Sequence, residues 1–225
     1  MTAINKGRLL TFGCSMTRGD ALDDIWDKTN KRNLRNNNSN HHAPSVYAWP
    51  QLLADKMDLD CINKGKSGSS NKQIWHSAVT TNFKENDTVI IQWATYDRWC
   101  VISDSDSEVT QINVHQIKEA NSIASFFYAN LHTVNDMNYD NNLRMSHITM
   151  YLNSIGVTVY NLICGSSTQY CEYKQLEFNK TKPLPHDLVK IQLSVTTRAN
   201  DNAHPCAETH KIFADELYNE IQHGS

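Results

Sequence analysis

The sequence has 225 residues, of which 40% are hydrophobic and 20% are charged, and its formal net charge is -3. These values are typical of a soluble globular domain and exclude the strong positive charge of a protein that binds nucleic acid or an acidic membrane. No apolar stretch approaches the roughly 18–20 residues that span a bilayer, and residues 1–7 leave no room for a signal peptide. We therefore expect one cytoplasmic domain over residues 1–225 without a membrane or nucleic-acid partner.

The first predicted strand, Arg8–Phe12, is followed at once by Gly13, Cys14 and Ser15. Gly13 lets the backbone turn sharply where the strand ends. The Ser15 hydroxyl is therefore predicted at the carboxyl end of a strand, where open α/β sheets bind their ligands. If a helix begins just beyond Ser15, its free backbone N–H groups face a ligand bound at the Ser15 hydroxyl. By itself, the stretch is more typical of an ordinary turn serine.

The segment Asp20–Ala43 is rich in Asn, Asp, Lys and Arg, and it is interpreted as a surface excursion that borders the site. Ser45–Met57 then has apolar residues, Val46 among them, at helical spacing. This pattern predicts a helix with Pro50 in its first turn, the position at which proline is tolerated.

A second strand, Leu59–Asn63, leads into the glycine- and serine-rich loop Lys64–Asn71 and then into a helix over Lys72–Asn82. Such a unit presents backbone N–H groups at the top of a sheet. Phosphate binding is not indicated, because neither the P-loop spacing nor Gly-x-Gly-x-x-Gly is present. A purely structural loop is the alternative.

The clearest strand is Asp87–Trp93, a β-branched run that is typical of a central parallel strand covered on both faces. The remaining predicted elements are helices at Val114–Leu131 and Asn141–Ser154, a strand at Val157–Ile163 and a helix at Ala207–Ile221, with a variable loop and short helical turns over Cys164–Arg198. This alternation with at least four strands predicts an α/β fold with an open parallel sheet flanked by helices.

The last motif, Asp201-x-x-His204-Pro205, lies just before the final helix. A carboxylate three residues before an imidazole can bond one ring nitrogen and leave the other free to face a hydroxyl. A serine nucleophile needs such a base, because its hydroxyl is not ionised at neutral pH. The alternative interpretation is a helix N-cap followed by a surface histidine.

Three motifs together resemble those of the SGNH, or GDSL-type, hydrolases: Phe12–Thr17 with its serine, the glycine motif Asn63–Asn71, and Asp201–Pro205. Their order and spacing extend over almost the whole chain. The α/β-hydrolase fold is excluded, because its Gly-x-Ser-x-Gly elbow lies mid-chain and Thr17 breaks that pattern. The resemblance implies a flavodoxin-like, three-layer α/β/α sandwich around a central parallel sheet.

The resemblance also implies a serine esterase that works through an acyl-enzyme, without a metal or an organic cofactor. Ser15 would be the nucleophile, His204 the general base and then acid, and Asp201 the group that orients the imidazole. The backbone N–H groups of Ser15 and Gly68 would donate to the oxyanion. The implied partner is a small-molecule or glycan ester, with acetyl as a candidate acyl group; the sequence does not specify the oligomeric state.

The family's Gly-x-Asn-Asp motif, whose asparagine is a third oxyanion donor, is matched here by Trp93–Arg98, which contains no asparagine. A subgroup associated with tailed phages and some bacteria carries Trp-Thr and a nearby Arg at this point, and this chain resembles it in Gln92-Trp93, Arg98 and Gly68-x-x-Asn71. We predict that the amide of Asn71 is the substitute donor, with the hydroxyls of Thr95 and Tyr96 as alternatives. Asn71 is otherwise expected to be a helix N-cap.

Two further functions stay open at this point: an acyltransferase with the same machinery, and a carbohydrate-binding or virion-associated module with a weakened site. The missing asparagine favours the module, whereas the intact set of Ser15, Asp201 and His204 favours an enzyme.

The six cysteines include no Cys-x-x-Cys pair, so they are expected to be reduced, with no zinc site. Cys14 is expected to point into the core, because neighbouring strand residues face opposite sides.

Overall fold

The computed structural model describes residues 6–34, 43–95, 98–102, 109–112, 123–164 and 184–223. Within these ranges the strands are β1 Arg8–Phe12, β2 Trp26–Asp27, β3 Arg32–Asn33, β4 Asp60–Asn63, β5 Thr88–Trp93, β6 Trp99–Ile102, β7 Val109–Ile112 and β8 Thr158–Ile163. The helices are α1 Ser15–Arg18, α2 Trp49–Met57, α3 Asn71–Val79, α4 Ile123–Asn130, α5 Val134–Ser154, α6 Leu188–Ser194 and α7 Ala207–His223. None of these helices is both long and apolar enough to cross a membrane.

The main sheet has the strand order β4-β1-β5-β8, and all of its pairings are parallel. Phe12 is paired with Ile91, and Trp93 is paired with Ile163. The carboxyl ends of β1, β5 and β8 therefore meet along one edge of the sheet. This edge carries the residues that follow each strand, and Ser15 is among them.

Alternate residues of each strand point to opposite faces of the sheet. Both faces are apolar, and helices cover both of them. One face packs on α3 and α5 through a cluster that includes Leu10, Phe12, Val89, Ile91, Ile74, Ile148 and Leu152. The other face packs on α2, α6 and α7 through Leu9, Ile90, Leu53, Leu162, Leu188 and Leu217. Each such side chain contributes about 1.5–3 kcal/mol when it is fully buried. The predicted α/β/α sandwich is confirmed.

The start of α2 shows how a local signal sets a helix boundary. Pro50 lies in the first turn, as predicted, where its missing N–H costs no hydrogen bond. Trp49 is fully buried and meets Phe213 of α7 edge-on, with 5.5 Å between the ring centroids. The helix predicted over Ser45–Met57 begins only at Trp49, so Val46 precedes it, and the surface of Val46 is 55% exposed.

Other elements differ from the predictions in extent. Helix α5 begins well before Asn141, because Thr133 caps it by accepting a hydrogen bond from the Asp136 N–H at 3.2 Å. The interpretation of Asp20–Ala43 as a surface excursion was wrong for its beginning, where Ala21 and Leu22 are buried. The hairpins β2–β3 and β6–β7 were not predicted. Residues 35–42, 113–122 and 165–183, on which further predictions fall, lie outside the described residues.

Candidate active site

Ser15 is the first residue of α1 and lies directly after β1 and the turn at Gly13 and Cys14. A Cβ on Gly13 would lie 1.9 Å from Oγ1 of Thr17. Thr17 is held in that place because its hydroxyl donates to Oε1 of Gln92 in β5 at 2.6 Å. Gly13 is therefore required for the serine turn to close over the neighbouring strand. Ser15 itself is mostly buried.

The glycine-rich loop packs directly against this turn. Nδ2 of Asn63 donates to the carbonyl of Thr17 at 2.8 Å, while its Oδ1 accepts from the Gly65 N–H at 2.9 Å. A Cβ on Gly65 would lie 2.8 Å from the backbone nitrogen of Arg18. Asn63 and Gly65 thus fix the loop to the helix that begins at Ser15.

Gly68 occupies the third position of a tight turn in the same loop. The Ser69 N–H donates to the Lys66 carbonyl at 3.2 Å and closes the turn. Gly68 has φ +74°, and no atom lies within 4 Å of the position that a Cβ would take. The glycine is needed for its left-handed conformation, and it faces open space at the sheet edge.

Asp201 and His204 form a pair within one turn before α7. Oδ2 of Asp201 lies 2.5 Å from Nδ1 of His204, and Oδ1 accepts the backbone N–H groups of Ala203 and His204 at 2.9 and 3.0 Å. Burial raises the pKa of the Asp201 carboxyl, but these hydrogen bonds outweigh it and leave the pKa below its usual value. Nε2 of His204 has no hydrogen-bond partner among the described residues.

The histidine turn is attached to the segment that follows the serine helix. The backbone N–H and Nδ2 of Asn200 both donate to the Ala21 carbonyl, at 3.1 and 2.8 Å. From the other side, Nε2 of Gln192 in α6 donates to the Ala203 carbonyl at 3.0 Å. The structure thus brings the two loops together, but it records no hydrogen bond between Ser15 and His204 within the described residues.

The position of Asn71 contradicts its interpretation as a helix N-cap, whereas its role as an oxyanion donor stays a prediction. Its Nδ2 donates to the Ala94 carbonyl at 3.0 Å, and its Oδ1 accepts the Ala94 N–H at 2.7 Å. The N-cap of α3 is Ser70, whose hydroxyl accepts from the Gln73 N–H. The expectation of a cap at Asn71 was therefore wrong. The contacts instead show that the Asn71 amide holds the end of β5 against the start of α3.

Arg98 lies between the carboxyl end of β5 and the start of β6, directly before Trp99. A hydrogen bond with the Cys164 thiol lowers the pKa of Cys14, and the charge of Arg98 lowers it further against the effect of burial. Nη1 of Arg98 is buried and has no hydrogen-bond partner in the described part of the chain. Cys14 is fully buried, as predicted. Thr95 is half-buried, and Tyr96 lies outside the described residues.

Sequence analysis missed a polar group beside the serine, formed by Arg18, Asp20 and Ser67. The Ser67 hydroxyl donates to Oδ2 of Asp20 at 2.5 Å and accepts from Nη1 of Arg18 at 3.1 Å. The only sequence signal was that each residue lies next to a glycine, since Arg18 and Asp20 flank Gly19 and Ser67 precedes Gly68. No cluster of three or more His, Cys, Asp or Glu side chains that could hold a metal ion occurs in the described ranges.

No protein-family model and no curated protein matches this sequence, whereas solved structures do resemble the fold. A protein from Desulfitobacterium hafniense, described as a lipolytic protein of the G-D-S-L family, has a TM-score of 0.54 at 10% identity over 94% of this chain and 98% of its own. A carbohydrate esterase has a TM-score of 0.57 at 12% identity, over 98% of this chain and 70% of its own. The acetyl xylan esterase Est2A from Butyrivibrio proteoclasticus has a TM-score of 0.54 at 12% identity, over 97% of this chain and 64% of its own. The chain therefore has the SGNH hydrolase fold, as its motifs predicted.

Proposed function

We propose that the protein is a serine esterase that hydrolyses carboxylic esters through an acyl-enzyme on Ser15. The observation that carries the proposal is the Asp201–His204 pair, which leaves Nε2 available on a loop tied to the serine segment. A serine at the carboxyl end of a central strand and an oriented imidazole are the two parts that acyl transfer requires. The shared fold with GDSL proteins and carbohydrate esterases supports the same reaction class.

In the proposed reaction, Nε2 of His204 takes the proton of the Ser15 hydroxyl while the Ser15 oxygen attacks the carbonyl carbon of the ester. The imidazolium is stabilised by Asp201 and gives its proton to the departing alcohol. Water then attacks the acyl-enzyme by the same route and releases the acid. For proton transfer, Nε2 and the Ser15 oxygen must approach to ~2.6–3.2 Å, a contact that commonly tightens only when substrate binds.

The negative charge on the carbonyl oxygen would be stabilised by the N–H groups of Ser15 and Gly68. Arg98 is the candidate for the third position, because it follows β5 at the sheet edge that carries Ser15 and its buried Nη1 has no hydrogen-bond partner among the described residues. A guanidinium stays charged at all relevant pH values, so it can replace a neutral amide donor. Thr95, which lies two residues after the end of β5, is retained as a substrate-binding residue.

The proposed substrates are small acyl esters, with acetyl groups on a glycan as the first candidate. Two proteins of the same fold are described as a carbohydrate esterase and an acetyl xylan esterase, which supports this choice. The wild-type protein should release the phenol from a chromogenic acetyl ester and acetate from acetylated xylan. Ser15→Ala should do neither, and a chelator should change nothing; turnover that needs a metal would overturn the proposed mechanism.

A carbohydrate-binding module with a weakened site is the second candidate, favoured by the absence of asparagine in Trp93–Arg98. Acyl transfer to another acceptor uses the same residues and would be distinguished by products that contain the acyl group. In the binding module, glycan affinity would persist in Ser15→Ala while the wild type would show no turnover. Calorimetric titration of both proteins with xylan oligosaccharides separates these functions.

A further inference from the structure

We infer that Ser67, Asp20 and Arg18 form a positioning group that fixes the direction of the Gly68 N–H relative to Ser15. The inference rests on the proposed function, in which this N–H stabilises the oxyanion. None of the three residues needs to touch the substrate. Their proposed role is to hold one peptide group in the orientation that the reaction requires.

The group connects the glycine loop to the serine helix through side chains. Arg18 is the last residue of α1, three positions after Ser15, and Asp20 follows the left-handed Gly19. Both are about 95% buried, with 5% of their surface exposed. Ser67 is an exposed residue whose hydroxyl reaches inward to both of them. The donor peptide and the nucleophile are thereby attached to the same short helix.

The conformation of the turn explains why this attachment matters. In the turn Lys66–Ser69, the third residue, Gly68, has a positive φ, while Ser67 at the second position does not. This combination defines a type II turn. In type II the peptide between the second and third residues is rotated by roughly half a turn relative to type I. The N–H of that peptide belongs to Gly68, so a change of turn type would point the proposed donor away from the site.

The contacts of Ser67 favour one of these two orientations. Its hydroxyl donates to a carboxylate and accepts from a guanidinium, and hydrogen bonds to charged groups are stronger than neutral ones. Because one buried partner ends α1 and the other directly follows its Gly19 cap, the Ser67 side chain is anchored to the segment that carries Ser15. Oxyanion donors must be held in advance to about 0.5 Å to be effective. The network supplies that restraint at the residue next to Gly68.

The test compares Ser67→Ala with Ser67→Thr, which retains the hydroxyl, on the chromogenic acetyl ester. Ser67→Ala should lower kcat by roughly 10- to 100-fold, the scale of a misplaced catalytic group, with KM changed less than about threefold. Ser67→Thr should restore most of kcat. Ser67→Ala should lower Tm, because it leaves the buried carboxylate of Asp20 and the buried guanidinium of Arg18 without this hydroxyl, whereas Ser67→Thr should keep Tm close to that of the wild type.

Ser70→Ala is the matched control, because it removes the cap of the adjacent helix α3 without touching Asp20 or Arg18. This variant should lower Tm while kcat is retained. A kcat of Ser67→Ala equal to that of the wild type, with Ser15→Ala inactive, would overturn the positioning role and leave the esterase intact. A wild-type protein without any Ser15-dependent turnover would instead overturn the proposed function, and the positioning role with it.

Discussion

Oδ2 of Asp201 lies 2.5 Å from Nδ1 of His204, and the other carboxylate oxygen accepts two backbone N–H groups of the same turn. Three hydrogen bonds therefore hold the carboxylate, and the carboxylate holds the ring. A proton on Nδ1 leaves the lone pair on Nε2, which is the tautomer that a general base requires.

The first prediction is that Asp201 and His204 act as one unit with Ser15. Asp201→Asn and His204→Ala should each lower kcat by roughly 10³–10⁴-fold on a short acyl ester, and the double variant should lose little more. Asp23→Asn is the control, because Asp23 is a carboxylate on the adjoining loop that contacts Asn200 and Lys28. Losses that multiply in the double variant would show that the two residues act independently.

The sequence predicted the strands and the motif turns because these signals are local. The runs around Leu10 and Ile90 are apolar enough to specify buried strands, and Asp201 and His204 lie within one turn. Contacts between distant polar residues have no such signature, since nothing in the sequence pairs Asn71 with Ala94 or Asp20 with Ser67. The hairpin β2–β3 was missed because two-residue strands give too short a pattern.

The second prediction concerns Asn71, whose side chain makes two hydrogen bonds to the Ala94 backbone in a buried place. Asn71→Ala removes both and should reduce the free energy of unfolding by about 2 kcal/mol or more. Asn82→Ala, at an exposed position after α3, should change it by less than about 0.5 kcal/mol. Urea denaturation measures both variants. An Asn71→Ala protein as stable as the control, with kcat strongly reduced, would restore the donor role for Asn71.

The third prediction is that His210 makes the fold sensitive to acid. Burial, and secondarily the charge of His204, lowers the pKa of His210 to about 3. Nδ1 accepts the Trp49 N–H at 3.2 Å. The unfolded chain binds the proton near pH 6.5, so stability is complete above that pH and falls toward about pH 3. The slope from this group is about 1.4 kcal/mol per pH unit.

His210→Asn retains an acceptor for Trp49 but cannot be protonated. Its free energy of unfolding should therefore depend less on pH between 6.5 and 4 than that of the wild type. His223→Asn, at the exposed end of α7, should keep the wild-type slope. Urea denaturation at several pH values gives the comparison, and equal slopes for His210→Asn and the wild type would contradict the assignment.

The fourth prediction separates conformation from space at Gly68. No atom lies within 4 Å of a Cβ there, so only the positive φ disfavours a side chain. Alanine rarely adopts this conformation, whereas asparagine tolerates it. Gly68→Ala should therefore lower kcat by roughly 10²-fold, the scale of one oxyanion donor, and Gly68→Asn should lower it less. Equal activity of Gly68→Ala and the wild type would contradict the claim that the glycine conformation positions this N–H.

Covalent labelling with a fluorophosphonate probe tests the central claim most directly, because it needs no knowledge of the natural ester. The account predicts one modified peptide that contains Ser15, with labelling retained in Cys14→Ala and lost in Ser15→Ala and His204→Ala. Peptide mapping by mass spectrometry distinguishes the serine from its neighbouring thiol. Labelling that persists in Ser15→Ala, or a folded wild-type protein that takes up no probe, would contradict the claim that Ser15 is the nucleophile.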